Sequence, residues 1–68
     1  MRFIELEHLG KHYRADYSVE DGVVTVFGDT GQQSTQTGGM TEEQTARLLL
    51  RGLIRVGSAK PVDNTKAE

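Results

Sequence analysis

The chain has 68 residues, which is room for one domain, and a domain this short buries a smaller fraction of its surface than a typical one. Cysteine is absent, which excludes disulfides, thiolate metal sites and a thiol nucleophile. The formal net charge of −2 differs from the clearly basic balance of most nucleic-acid-binding domains, so it counts against that class.

Composition also predicts the cellular location of the protein. Residues 1–7 lack the uninterrupted apolar core of a signal peptide, and no run approaches the ~20 apolar residues that span a bilayer. Small secreted domains usually depend on disulfides, and this chain has no cysteine to form them. We therefore expect a cytoplasmic protein that does not contact a membrane.

The first two predicted strands alternate apolar and polar residues with the period of a half-buried strand. A turn at Leu9-Gly10 sets their register, and the predicted pairs are Ile4–Ala15 and Leu6–Tyr13 on the buried face, with Glu5–Arg14 and Glu7–His12 on the other. Opposite charges across a ladder favour this register by roughly 0.2–1 kcal/mol a pair. Leucine suits the positive φ of a type I′ turn poorly, so a bulge at this turn is the alternative.

A second hairpin follows at Asp21-Gly22, a two-residue sequence typical of type I′ turns. Counting outward from this turn gives the predicted buried pairs, which are Val19–Val24 and Tyr17–Val26. The apolar residues of the second and third strands therefore meet on one face. A slip of one residue would turn all of them to the other face.

The next segment, residues 32–37, follows a turn at Asp29-Thr30-Gly31 and is polar throughout. Threonine suits strands and glycines flank the segment, so we predict a fourth strand at the sheet edge. If the preceding loop has four residues, Thr35 and Thr37 turn toward the buried face. Low-complexity disorder is the competing interpretation.

A helix follows, and it is the clearest element of the sequence. Thr41 and Gln44 form a capping-box pattern, and Glu42 and Glu43 suit the positive end of the helix dipole. One broad apolar arc contains Ala46, Leu49, Leu50, Leu53, Ile54 and Val56, whereas Leu48 lies outside it. Gly57 fits a helix end.

Together these elements predict an α+β fold, an antiparallel meander of three to four strands with one C-terminal helix packed on one face (ββββα). The predicted domain spans residues 1–57. Residues 58–68 contain Pro61, mixed charge and little apolar content, which predicts a disordered tail.

Charged residues give two candidate sites. Arg47, Arg51 and Arg55 form a row that could bind phosphates or an acidic partner, but a solvated helix flank explains it more simply. A second cluster, on the sheet face away from the helix, contains Glu5, Glu7, His12 and Asp16. Carboxylates and imidazole together could bind a metal ion, but an exposed ladder of charged side chains explains this cluster more simply. We therefore expect no metal.

Enzymatic activity is not expected from this chain. No nucleophile is visibly partnered with a base, and a domain this small has little volume for a ligand pocket. The glycines at positions 28, 31, 38 and 39 follow the logic of turns and lack the spacing of a nucleotide-binding loop. We therefore expect no cofactor and no small-molecule substrate.

Two surfaces suggest a protein partner. Phe3, Val23 and Phe27 share the predicted open face of the sheet, with both phenylalanines near Asp16, and would form an apolar patch. The predicted edge strand, which carries Gln33 and Thr35, lacks the lysine, proline or inward charge that usually protects an edge. The alternative for both surfaces is a monomer in which the tail or the helix end covers them.

The stretch GKHYRADYSVEDGVVTVFGDTGQQSTQTGG followed by ARLLLRGLI resembles small uncharacterised bacterial proteins with a β-meander and a C-terminal helix. The resemblance spans roughly residues 3–56, and its markers are turn glycines and core residues. It implies the fold and carries no activity.

We therefore expect a small non-enzymatic protein that binds an unidentified protein or a second copy of itself. The alternative is a nucleic-acid-binding domain that uses the sheet face or the row Arg47, Arg51 and Arg55, because a sheet followed by a helix also occurs in domains that read DNA. The carboxylates on the sheet face would repel phosphate, so nucleic acid is the less favoured partner.

Overall fold

The computed structural model describes residues 2–62 and shows one antiparallel sheet with one helix packed against it. The elements in chain order are β1 (Arg2–His8), β2 (Lys11–Glu20), β3 (Val23–Phe27), β4 (Gln32–Gln36) and α1 (Glu42–Arg55). The strands lie in the sheet in the order β1-β2-β3-β4. The predicted ββββα fold is confirmed, with all four strands present. Within the described residues, no helix is long and apolar enough to cross a membrane.

The register of the sheet agrees with the prediction at each turn. Ile4 lies opposite Ala15, and Val24 lies between Val19 on one side and Thr35 on the other. Phe27 pairs with Gln32, so the loop before β4 has the four residues that bring Thr35 to the helix side of the sheet. The alternation of apolar residues and the turn positions are therefore sufficient to fix the pairing.

The β1–β2 turn does not contain the bulge that was the alternative at Leu9-Gly10. His8 pairs directly with Lys11, so no bulge is present, and Leu9 and Gly10 adopt φ values of +54° and +79°. Asp21 at the equivalent position of the β2–β3 turn has φ +53°. Leucine therefore occupies a left-handed conformation that costs a side chain of this kind roughly 1–2 kcal/mol.

Replacing Leu9 by asparagine is expected to raise the free energy of unfolding by about 1 kcal/mol, because asparagine tolerates this conformation better. The Leu9 side chain is 87% exposed, so little packing is lost with it. Urea denaturation would measure the change. The reciprocal control, Asp21→Leu, should lower stability by a similar amount, and a Leu9→Asn variant no more stable than the wild type would contradict this account.

The core lies between α1 and one face of the sheet. Six buried residues come from the strands and three from the helix: Ile4, Tyr13, Ala15, Tyr17, Val24, Val26, Ala46, Leu50 and Leu53. Leu49 and Ile54 are only half-buried. Val56, predicted in the apolar arc, is exposed, because the helix ends at Arg55 and Val56 is its C-cap.

The start of α1 is fixed by local hydrogen bonds and by one ion pair with the sheet. The Gln44 N–H donates to the Thr41 hydroxyl at 3.0 Å, and the Thr41 N–H donates to the Gln44 side chain at 3.1 Å, which confirms the predicted capping box. The Arg2 guanidinium donates to the Glu42 carboxylate. This hydrogen bond is the largest cause of a pKa of Arg2 above its ordinary value, and a hydrogen bond with Tyr17 contributes less.

The chain after α1 returns to the sheet. The Thr30 N–H donates to the Ser58 carbonyl at 3.1 Å, and the Val62 N–H donates to the His12 carbonyl at 2.8 Å. These bonds lie in the first residues of the predicted tail. Residues 63–68, the rest of that segment, lie outside the described residues.

Candidate functional site

The open face of the sheet, on the side away from α1, contains the two phenylalanines singled out by the sequence. Phe3 and Phe27 both pair with Asp16, one from each side, so the three residues form a row across β1, β2 and β3. Phe3 is 50% exposed, whereas Phe27 is half-buried. Val23 lies on the same face, but at the other end of β3, roughly 13 Å along the strand from Phe27.

Arg14 covers part of the Phe3 ring. Its guanidinium carbon lies 4.2 Å from the ring centroid, which is cation–π geometry. The pairing of Phe3 with Asp16 makes Arg14 a diagonal neighbour of Phe3 on the open face. The sequence predicts the pair of Arg14 with Glu5 and not this contact, although the register could have indicated it, because diagonal neighbours lie within reach of long side chains.

The charged residues of the open face also contact diagonal neighbours. Glu5 lies opposite Arg14, and Glu7 lies opposite His12, as predicted. The closest charge contact, however, joins His12 Nε2 to Glu5 Oε1 at 3.7 Å. Within residues 2–62, no group of three or more His, Asp or Glu side chains is placed to hold a metal ion.

A shallow depression, which the sequence does not predict, lies beside Phe27 at the end of β3. Its lining includes Arg14, Asp16, Asp29 and Val62. The Asp29 carboxylate accepts a hydrogen bond from the backbone N–H of Lys60 at 2.7 Å, which holds the segment after the helix against this rim. The sequence does not predict this placement of Asp29 and Val62, because it depends on hydrogen bonds with backbone groups that are distant in the chain.

The arginine row lies on the flank of α1. Arg47 donates to the Glu43 carboxylate at 2.9 Å, four residues earlier in the helix, which is the spacing of a helical ion pair. Arg51 and Arg55 are exposed. Arg47 and Arg51 also line a shallow groove with Met40, Gln44 and Leu48, in which Leu48 is 52% exposed.

The β4 edge is the last of the predicted surfaces. All five of its residues are exposed. Gln33 and Thr35 lie on the helix side of the sheet, opposite Val26 and Val24. On the other side, the Ser34 hydroxyl lies 2.8 Å from the Thr25 hydroxyl. The structure thus separates the predicted site residues into three surfaces: the open face, the β4 edge and the arginine flank.

Comparisons with protein-family models, with curated proteins and with solved structures find no significant match. The β-meander followed by a C-terminal helix is therefore described from this chain's own structure.

Proposed function

We propose that this chain is a small non-enzymatic protein-interaction module that binds its partner on the open face of the sheet around Phe3. The observation that carries the proposal is a half-exposed aromatic ring on a face against which no helix or strand of residues 2–62 packs. Phe27 lies on the same face, across Asp16 from Phe3, and exposed apolar patches are typical of surfaces used in association. The cytoplasmic location and the bacterial origin expected from the sequence belong to the same proposal.

Phe3 is suited to anchor a partner. Burying the exposed half of a phenylalanine is worth roughly 1–2 kcal/mol. The stacked Arg14 restricts the ring before binding, so less conformational entropy is lost when a partner orders it. Aromatic and arginine side chains are also the residue types that contribute most at interfaces.

The charge of the open face indicates the partner's chemistry. Its acidic and basic side chains, apart from His12, are one arginine and four carboxylates: Arg14 with Glu5, Glu7, Asp16 and Glu20. A complementary surface would present lysine or arginine side chains around an apolar one. The same carboxylates repel phosphate, so this face supports a protein partner in preference to a nucleic acid.

A selection from a displayed random-peptide library would test the proposal. We expect enrichment of peptides that combine basic and aromatic residues, and at least tenfold weaker binding of the enriched peptides to a Phe3→Ser variant. Leu48→Ser is the matched control, because Leu48 is as exposed as Phe3 but lies on the helix. This control should bind the peptides like the wild type.

Three outcomes would count against the open face. These are a lack of enrichment over the bare support, equal binding by the Phe3→Ser variant, and loss of binding in the Leu48→Ser control. A parallel gel-shift experiment with duplex DNA at low salt tests the alternative. Retardation that is lost when Arg51 and Arg55 are both replaced by glutamine would move the function to the arginine flank.

A further inference from the structure

No strand within residues 2–62 pairs with the outer edge of β4, an arrangement that sheet proteins usually avoid. β4 is the last strand of the sheet, and its sequence Gln32–Gln36 contains neither a charged residue nor a proline. All of its residues are exposed. Natural edge strands are normally protected by charges, prolines or bulges, so an unprotected edge of this length is a candidate pairing surface.

The direction of the free hydrogen-bonding groups follows from the ladder. The Thr37 N–H donates to the Gly22 carbonyl at 3.2 Å, toward β3. Backbone groups alternate in direction along an antiparallel strand, so Gln33 and Thr35 also bond toward β3. The N–H and C=O groups of Gln32, Ser34 and Gln36 therefore point outward, away from the sheet.

We infer that the occupant of this edge is β4 of a second copy of the chain, paired antiparallel about a two-fold axis at Ser34. The sequence Gln-Gln-Ser-Thr-Gln reads almost the same in both directions. In this register Ser34 lies opposite its own copy and Gln32 lies opposite Gln36, so every outward N–H meets an outward carbonyl. On the helix side, Gln33 meets Thr35.

Charge distinguishes this edge from the other one. β1, the opposite edge, carries Glu5 and Glu7, and these would repel a second copy. Association through β4 therefore stops at a dimer. Its two sheets form one eight-stranded sheet, and the strand at each edge is a β1 that carries Glu5 and Glu7. The two-fold axis is perpendicular to the sheet, so both helices lie on one face and both Phe3 side chains remain free on the other. The dimer therefore does not depend on the proposed partner site.

Sedimentation equilibrium tests the inference. The weight-average mass of the wild type should rise with concentration from 7.5 kDa toward twice that value. Ser34→Pro removes an outward N–H from each copy without breaking the ladder to β3, and we expect it to weaken association about tenfold or more. Ser34→Ala loses the same contact with Thr25 but keeps the N–H, so it should associate like the wild type.

Amide hydrogen exchange identifies the surface. The amides of Gln32, Ser34 and Gln36 should exchange more slowly as concentration rises, and Phe3→Ser should leave the dimer intact even if it abolishes peptide binding. If Ser34→Pro does not fold, Gln36→Pro removes the next outward N–H at the strand end. A wild type that is monomeric at its highest soluble concentration would overturn the inference. So would a dimer that these prolines leave unchanged.

Discussion

Replacing Leu50 by alanine is expected to lower the free energy of unfolding by about 2–5 kcal/mol. Leu50 is fully buried on the face of α1 that packs against the strands, and it belongs to the core cluster. Its truncation removes buried apolar surface and leaves a cavity that a small sheet-and-helix core can close only in part. A domain of this size has roughly 3–10 kcal/mol of total stability, so the variant should be near or past the limit of folding.

Thermal denaturation followed by circular dichroism would measure this effect, at about 4–8 °C of midpoint shift for each kcal/mol. Leu48→Ala is the matched control, because it makes the same chemical change in the same helix at a position that is half exposed. It should change stability by less than about 0.5 kcal/mol. Equal losses at the two positions would mean that α1 does not pack on the sheet through the face described.

The pairing of the strands and the position of the helix were predictable because several independent signals agree. Two turn sequences and the alternation of apolar residues define one register, and a slip would expose the whole core face. The capping box at Thr41 similarly fixes where α1 begins. β4 was predicted on weaker grounds, since its polar sequence carries no alternation, and it is ordered through pairing with β3.

Side-chain contacts on the open face were harder to predict for an energetic reason. Arg14 could pair with Glu5 across the ladder or stack on Phe3 diagonally, and exposed contacts of both kinds are worth roughly 0.2–1 kcal/mol. The sequence alone does not distinguish these two contacts, because their energies are so similar. The register also makes Glu7 and Phe27 diagonal neighbours of Arg14, and the structure identifies Phe3 as the ring that Arg14 covers.

The role of Gly28 could not be predicted, because the contact that requires it is distant in the chain. The position of Gly28 before Asp29-Thr30-Gly31 predicts a role in the turn alone. In the structure, a Cβ at this position would lie 2.6 Å from the Ser58 carbonyl oxygen and 3.0 Å from that of Gly31. Nothing in the local sequence indicates that the chain after α1 passes so close to the β3–β4 loop.

Replacing Gly28 by alanine is therefore expected to lower the free energy of unfolding by about 1–3 kcal/mol. Both oxygens belong to the backbone, so neither can rotate away from the added methyl group. Relief of the contact requires Ser58 to move, which lengthens the hydrogen bond from the Thr30 N–H to its carbonyl. Urea denaturation measures the loss, and faster amide exchange at Thr30 would locate it at this contact.

Gly52→Ala supplies the control for the Gly28 substitution. It makes the same change within the last turn of α1, where a Cβ would meet nothing within 4 Å. Alanine restricts the unfolded chain and favours the helix, so this variant should gain about 0.5–1 kcal/mol. Opposite signs for the two changes in the free energy of unfolding would show that the lack of space beside Ser58 requires glycine at residue 28. A general intolerance of glycine-to-alanine substitution would lower stability at both positions. Losses of equal size, without faster exchange at Thr30, would contradict the close approach of Ser58 to the β3–β4 loop.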